Sequence, residues 1–411
     1  MRRLQPLILL LAIACGASAQ FNNRLDAIQL IQQGDMQLRL GSSEQALLSY
    51  TSAIQRDMGF ADAYMKRAAL YNRLGQYQLA MADLDRALEL NPYSEYIYDR
   101  RAKVKLLMND VKGAEEDWSR AVALQPYDDL LREGRVDAWL SAGETGRALE
   151  ELDTLLLEKP HDVLLLLKRT SALLQADRPE DALRSAEEAR RVSPRLAIVH
   201  DLRGVAYMRM QRWLDALAAL DSAILLDRNF DLAWYNRGLV QLRMGRDDLA
   251  RADMNRALEL AQDRPHFFFQ RALIRKRDGD LAGARDDYDR ALELAPDYLE
   301  AQYNRAFVRN QLGDRAGAMA DAEATLQRSP GDPDAWVLKG SLHMLFAEYP
   351  EAIDCFDRAL LIQGDHAASL YNRGLAKHMT YRPEQGCDDL RRSAALGNMR
   401  ASDAMRYFCA F

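Results

Sequence analysis

Ten basic residues recur at intervals of 34 through the chain: Arg67, Arg101, Arg135, Arg169, Arg203, Arg237, Arg271, Arg305, Lys339 and Arg373. Sixteen residues after seven of them stands an acid: Asp83, Asp117, Glu151, Asp253, Asp287, Asp321 or Asp389. A planar guanidinium beside a carboxylate forms paired, charge-assisted hydrogen bonds, so the first chemistry this pattern offers is a ladder of ion pairs. Read as exposed pairs, each contributes only about 0–1 kcal/mol. Arg169, Arg203 and Lys339 are followed at the same distance by Ser185, Ala219 and Cys355. These three are therefore the candidates for holding an acidic ligand instead.

A second set couples an aromatic ring to a side-chain amide: Tyr235-Asn236, Phe269-Gln270, Tyr303-Asn304 and Tyr371-Asn372. An amide donates and accepts at once, so a row of amides can hold the backbone of an extended peptide whatever its sequence. The aromatic neighbours add contact area at little entropic cost. The alternative is that the amides satisfy nearby backbone or solvent. In Pro265-His266-Phe267-Phe268-Phe269, Phe269 is assigned to the binding side and Phe268 to the interior; packing of all three rings is the competing assignment.

Catalysis finds no support. His161, His200, His266, His343, His366 and His378 fall at unrelated phases of the 34-residue period. No Gly-rich phosphate loop, Gly-x-Ser-x-Gly elbow or His-Glu-x-x-His run occurs, and no Cys-x-x-Cys pair offers a metal site. The expectation is a protein that is not an enzyme, with no cofactor, metal or small-molecule substrate. Across 411 residues, 48% apolar and 28% charged, the formal net charge is −6. It becomes more negative once Arg2 and Arg3 leave with a leader, which argues against nucleic acid or anionic membrane as a general partner.

Residues 1–19 read as a secretory signal: basic Arg2-Arg3, an apolar run from Leu4 to Ala14, and a small-residue cleavage site at Ala17-Ser18-Ala19. Leu11-Ala12-Ile13-Ala14-Cys15 offers a competing lipobox, with Cys15 as a lipidated first residue, and membrane attachment is expected only in that case. Three cysteines remain after export. Cys387 and Cys409 flank Gly397-Asn398 almost symmetrically, so two antiparallel helices joined there place them opposite each other for a disulfide. Cys355 stands where other blocks carry acids and is expected to be exposed or half-exposed.

The element that must position all of these is a block of 34 residues, copied eleven times from Ala27 to Arg400. Block position 20 is Ala from Ala46 to Ala352 and then Gly386; position 8 is mostly Gly or Ala, as at Gly34, Ala68, Gly340 and Gly374. Position 24 is bulky, as at Tyr50, Trp118, Tyr288 and Phe356, and position 32 is Pro in six blocks. Each block contains two amphipathic helical patterns separated near position 15 by a residue such as Gly41 or Gly75, where a helix end favours the left-handed conformation. The second pattern stops at the proline.

These small residues at 8 and 20, Ala at 27 and Pro at 32 resemble the tetratricopeptide repeat (TPR) superfamily. The resemblance implies an all-α fold, a right-handed superhelical solenoid whose concave face is lined by positions 5, 6, 9, 12 and 13 of each first helix. It places Tyr235, Asn236, Arg243, Phe269, Gln270, Arg277, Tyr303, Asn304, Tyr371 and Asn372 in a peptide-binding groove. The amide row resembles asparagine ladders of that superfamily at Asn236, Asn304 and Asn372, with Gln270 substituting. Lys66, Arg73, Arg100 and Lys103 fall on the same face in the early blocks without that pairing. The closing segment is similar to Sel1-like repeat ends, with a capping helix around Ala401 to Tyr407.

The resulting organisation is a signal peptide at 1–19, a lead-in at 20–26, repeats at 27–400 and a cap at 401–411. The expected function is an exported, periplasmic or outer-membrane-associated scaffold that binds an extended segment of a partner protein. A lipid-anchored structural subunit of an envelope assembly is the alternative.

Overall fold

The computed structural model describes residues 5–409, with side chains from residue 22 onward. Met1 to Leu4 lie outside the described residues, as do the side chains of the Ala17-Ser18-Ala19 site and of Cys15. The described residues form 23 α-helices and no strand. The chain divides into two compact units, residues 1–211 and 212–411, and the division falls inside the sixth block.

The first unit contains α1 (Gln5–Arg39), α2 (Ser43–Arg56), α3 (Ala61–Arg73), α4 (Tyr77–Leu90), α5 (Glu95–Leu107), α6 (Val111–Leu124), α7 (Asp129–Ser141), α8 (Thr145–Glu158), α9 (Val163–Gln175), α10 (Pro179–Val192) and α11 (Ala197–Arg209). The second contains α12 (Trp213–Leu226), α13 (Asp231–Arg243), α14 (Asp247–Leu260), α15 (Pro265–Arg277), α16 (Leu281–Leu294), α17 (Leu299–Gln311) and α18 (Arg315–Arg328). It continues with α19 (Pro333–Leu345), α20 (Tyr349–Ile362), α21 (Ala367–Met379), α22 (Pro383–Ala395) and α23 (Met399–Phe408). From Gln5, helix α1 runs unbroken through the described part of the expected leader, the lead-in and the first helix of block 1, and no proline follows Pro6 in its sequence.

Most hairpins close where a small residue meets a large one, block 5 (Thr170 with Ala186) and block 9 (Ala306 with Ala322) being the exceptions. A Cβ on Gly34 would lie 2.5 Å from the Tyr50 ring, and one on Gly340 2.6 Å from the Phe356 ring; both rings are fully buried. The turn is equally regular. Position 15 has positive φ in every block: glycines such as Gly41 (80°) and Gly75 (73°), but also Asn109 (62°), Asp177 (53°), Gln211 (58°), Ala347 (59°) and Tyr381 (58°). The backbone geometry of the turn therefore persists where the residue that favours it has been replaced.

At the end of the chain, α23 packs its Ala401 and Ala404 on Leu390, with Tyr371 and Phe408 beside them. The Cys387 and Cys409 sulfurs are 2.03 Å apart, a disulfide between α22 and the residue following α23. Among the described residues no helix is long and apolar enough to cross a membrane.

Candidate binding site

The arginines of position 7 sit on first helices and their acids on second helices, and the two meet inside the hairpin. Arg101 donates from Nε and Nη2 to the two oxygens of Asp117 at 2.8 and 2.6 Å. Arg237 with Asp253, Arg271 with Asp287, Arg305 with Asp321 and Arg373 with Asp389 repeat this fork. The pairs are not exposed, as the spacing alone implied: Asp117 and Asp287 are 3% exposed and Asp389 4%. Burial opposes the Asp389 charge, but hydrogen bonds from Arg373 and Lys377 outweigh it and hold the carboxyl below the usual range.

The same guanidinium reaches a second partner that spacing within a block does not reveal. Arg101 donates Nη1 to Asp85, Arg237 to Asp221, Arg305 to Asp289 and Arg373 to Asp357, each at position 25 of the preceding block, over 2.5–2.7 Å. Arg169, Arg203 and Lys339, which lack an acid at position 23 of their own block, take this one: Asp153 at 2.7 Å, Glu187 at 2.6 Å and Glu323 at 3.1 Å, with Glu188 also 4.0 Å from Arg169 and His200 3.2 Å from Arg203. The expectation that these three await an acidic ligand is thereby corrected. Cys355 is corrected as well. It is 6% exposed, because position 23 faces the hairpin interior, and burial pushes its thiol up to about 11.

In the second unit, the aromatics assigned to the groove bind neighbouring hairpins. Tyr235 stacks on Phe267 at 4.5 Å and meets His266 edge-on at 5.1 Å, and burial pushes its hydroxyl up to about 12. Tyr303 donates to the Asp334 carbonyl at 2.7 Å. Tyr371 packs on the cluster of Leu390 and the cap. Phe269 is not a groove residue: it is 8% exposed, covered by Tyr298 at 4.9 Å and Tyr288 at 5.9 Å, and Phe267 and Phe268 are buried with it. A ring at this position is covered because Tyr288 fills the hairpin beneath it while Tyr298, in the following loop, closes over it.

Of the polar members, Asn304 accepts from Lys276 at 3.1 Å and donates to the Glu300 carbonyl at 2.8 Å, and Arg277 pairs with Asp247 at 3.4 Å. Asn236, Gln270 and Asn372 are half-buried, and Arg243 is exposed. Lys276, Arg277 and Gln311 converge with Leu273 on an open cavity of about 490 Å³.

The larger cavity, about 630 Å³, lies in the first unit between α1, α3 and α5. Its walls come mostly from the positions expected to face a groove and from position 2, with Tyr50, Phe60 and Leu70 added from other positions. Ile31, Phe60, Met65 and Tyr50 supply apolar surface; Gln32, Asp35, Asp62, Lys66, Arg73, Tyr96 and Arg100 supply the polar groups, three cations against two carboxylates. Gly34 admits the Tyr50 ring, whose hydroxyl donates to Asp35 at 2.6 Å, and Lys66 donates to the other Asp35 oxygen at 2.8 Å. Burial opposes the Asp35 charge, yet these hydrogen bonds and the Lys66 charge lower its pKa.

Arg73 and Arg100 differ from the ladder arginines, since neither has a carboxylate within ion-pair distance among the described residues. The Arg100 guanidinium lies 4.8 Å above the Tyr96 ring and hydrogen-bonds its hydroxyl. The sequence carried a signal for this site in Lys66, Arg73 and Arg100. Among the described residues, no group of three or more His, Cys, Asp or Glu is placed to hold a metal ion.

Family models for the tetratricopeptide repeat match residues 61–94, which is the second block, and residues 202–265, 269–333 and 309–372. No curated protein matches. Solved structures with a similar fold include the APC/C hetero-tetramer Cut9-Hcn1, at 13% identity and TM-score 0.48, covering 93% of this chain and 96% of that one. Yeast Tom70 is similar at 16% identity and TM-score 0.47, covering 93% and 95%. YrrB, described as a TPR protein with an unusual peptide-binding site, is similar at 22% identity and TM-score 0.39, covering 45% of this chain and 95% of its own.

Proposed function

We propose that this chain, which carries tetratricopeptide repeats, is a non-catalytic scaffold that holds an extended, acidic segment of a partner protein against its first helices. The observation that carries this reading is the pair Arg73 and Arg100. They share a cavity of about 630 Å³ with apolar walls and lack carboxylate partners, whereas the position 7 cations are neutralised by buried or neighbouring acids. In an acidic protein, two unneutralised cations on a concave surface favour an anionic occupant, and the rings of Tyr96 and Phe60 give it contact area. Because the helices are already packed, ordering falls on the incoming segment alone, which limits affinity but leaves the surface ready.

The leader-like residues 1–19 and the disulfide between Cys387 and Cys409 support a setting outside the reducing cytosol. Fluorescence anisotropy with a labelled glutamate-rich 12-residue peptide tests the binding site. The expected result is salt-sensitive binding that weakens roughly ten-fold or more in Arg73→Glu/Arg100→Glu. Equal affinity for the wild-type and charge-reversed proteins overturns it.

A further inference from the structure

Repetition gives this molecule an internal control, because one block position can be compared across hairpins. At position 2, in the first turn of the first helix, Tyr96, Leu130, Leu164 and Ile198 stand on α5, α7, α9 and α11 of the first unit and are 50%, 76%, 62% and 38% exposed. In the second unit the same position holds Leu232, half-buried against the Phe267 cluster, and then His266, Glu300, Asp334 and the small Ala368, in hairpins built the same way. The fold therefore has no need of an apolar side chain there. Four large ones on α5, α7, α9 and α11 form an exposed row, the kind of surface that marks an interaction site.

The row begins where the basic cavity ends, since Tyr96 belongs to both. Helices α5 and α7 touch, as do α9 and α11, while α7 and α9 both pack on α8 between them, and packed helices lie about 8–10 Å apart. An extended chain advances about 3.3 Å per residue, so it meets the next hairpin after about three residues. Glu95, Asp128 and Asp162 stand at the starts of α5, α7 and α9 beside the row. They disfavour acids along the row, which leaves the acidic stretch to the arginines of the cavity, and they disfavour an anionic lipid surface as occupant.

Resting on the function proposed above, we infer that the partner segment is bipartite. Next to its acidic stretch it carries an aliphatic residue at every third position, and these seat on Tyr96, Leu130, Leu164 and Ile198. Three labelled synthetic peptides test this against the full chain, each made in both chain directions. One has five glutamates followed by Leu-Ser-Ser four times, one has serine in place of every leucine, and one has the four leucines side by side.

The patterned peptide is expected to bind about ten-fold or more tighter than the serine peptide. That gain should vanish in Leu130→Asp/Leu164→Asp, which should bind the serine peptide as the wild type does. Equal binding of patterned and serine peptides to the wild type overturns the inference and leaves the acidic site standing. So does equal binding of patterned and clustered leucines, a comparison that needs no variant. A concentration-dependent dimer of the wild type that Leu130→Asp/Leu164→Asp abolishes also overturns it, assigning the row to a second copy. Failure of all three peptides to bind overturns the acidic site and the inference together.

Discussion

Arg373→Met tests the arginine ladder where it is most fully formed. Asp389 accepts from Arg373 at 2.8 and 2.6 Å and from Lys377 at 2.9 Å, while a third Arg373 nitrogen reaches Asp357 at 2.5 Å. Each hydrogen bond to a charged group contributes about 1.5–3 kcal/mol, and stripping the partner from a buried charge costs about 3–5 kcal/mol. Lys377 stays and Met refills part of the space, which leaves an expected loss of about 2–4 kcal/mol.

Arg169→Met is the matched control. Its hydrogen bond, 2.7 Å to Asp153, is to a carboxylate 57% exposed, and the expected loss is about 0–1 kcal/mol. Amide hydrogen exchange read by mass spectrometry resolves the two locally. Opening of α21–α22 should become roughly 30- to 1000-fold easier, and that of α9–α10 less than about 5-fold. Equal changes at the two sites would refute the distinction between buried forks and single exposed contacts. The pH dependence has a definite sign. The Asp389 carboxyl is depressed in the folded chain, so its contribution is complete at neutral pH, and the difference between wild type and Arg373→Met should shrink as pH falls below about 4.

Two further outcomes are expected. Ala347 holds a φ of 59°, so Ala347→Gly should raise stability by about 0.5–1 kcal/mol in urea unfolding, whereas Gly75→Ala, with open space around the added Cβ, should lower it by about 1 kcal/mol; a destabilised Ala347→Gly contradicts the turn geometry. With its thiol pushed up to about 11, Cys355 should resist iodoacetamide at pH 8 until the chain unfolds, and a digest of the same sample without reductant should yield Cys387 linked to Cys409. Rapid native labelling of Cys355 contradicts its burial.

The hairpins were legible because small residues at positions 8 and 20 and the bulk at position 24 recur with one period, and packing repeats with them. The Arg–acid pairing was legible for the same reason, but its depth was not, since spacing along a chain carries no measure of distance from solvent. Asp85, Asp153 and Asp289 recur with the period too. They escaped notice as partners because each precedes its cation by sixteen residues and belongs to another block. Phe269 was misplaced because the covering ring, Tyr298, lies in a loop outside the helical pattern. The cavity beside Arg73 had no single-residue signature, for an unfilled volume is what remains after side chains from three helices have packed.

The reach of most position 7 cations into the preceding block also fixes how the chain tolerates gain or loss of length. Excising 265–298 sets Arg305 against Asn255, the residue that already accepts from Arg271 at 3.1 Å, so a whole copy can be dropped or duplicated with its seam intact. A cut whose length is not a multiple of 34 leaves one guanidinium stranded at the join, which makes 34 residues the smallest unit of descent for this molecule.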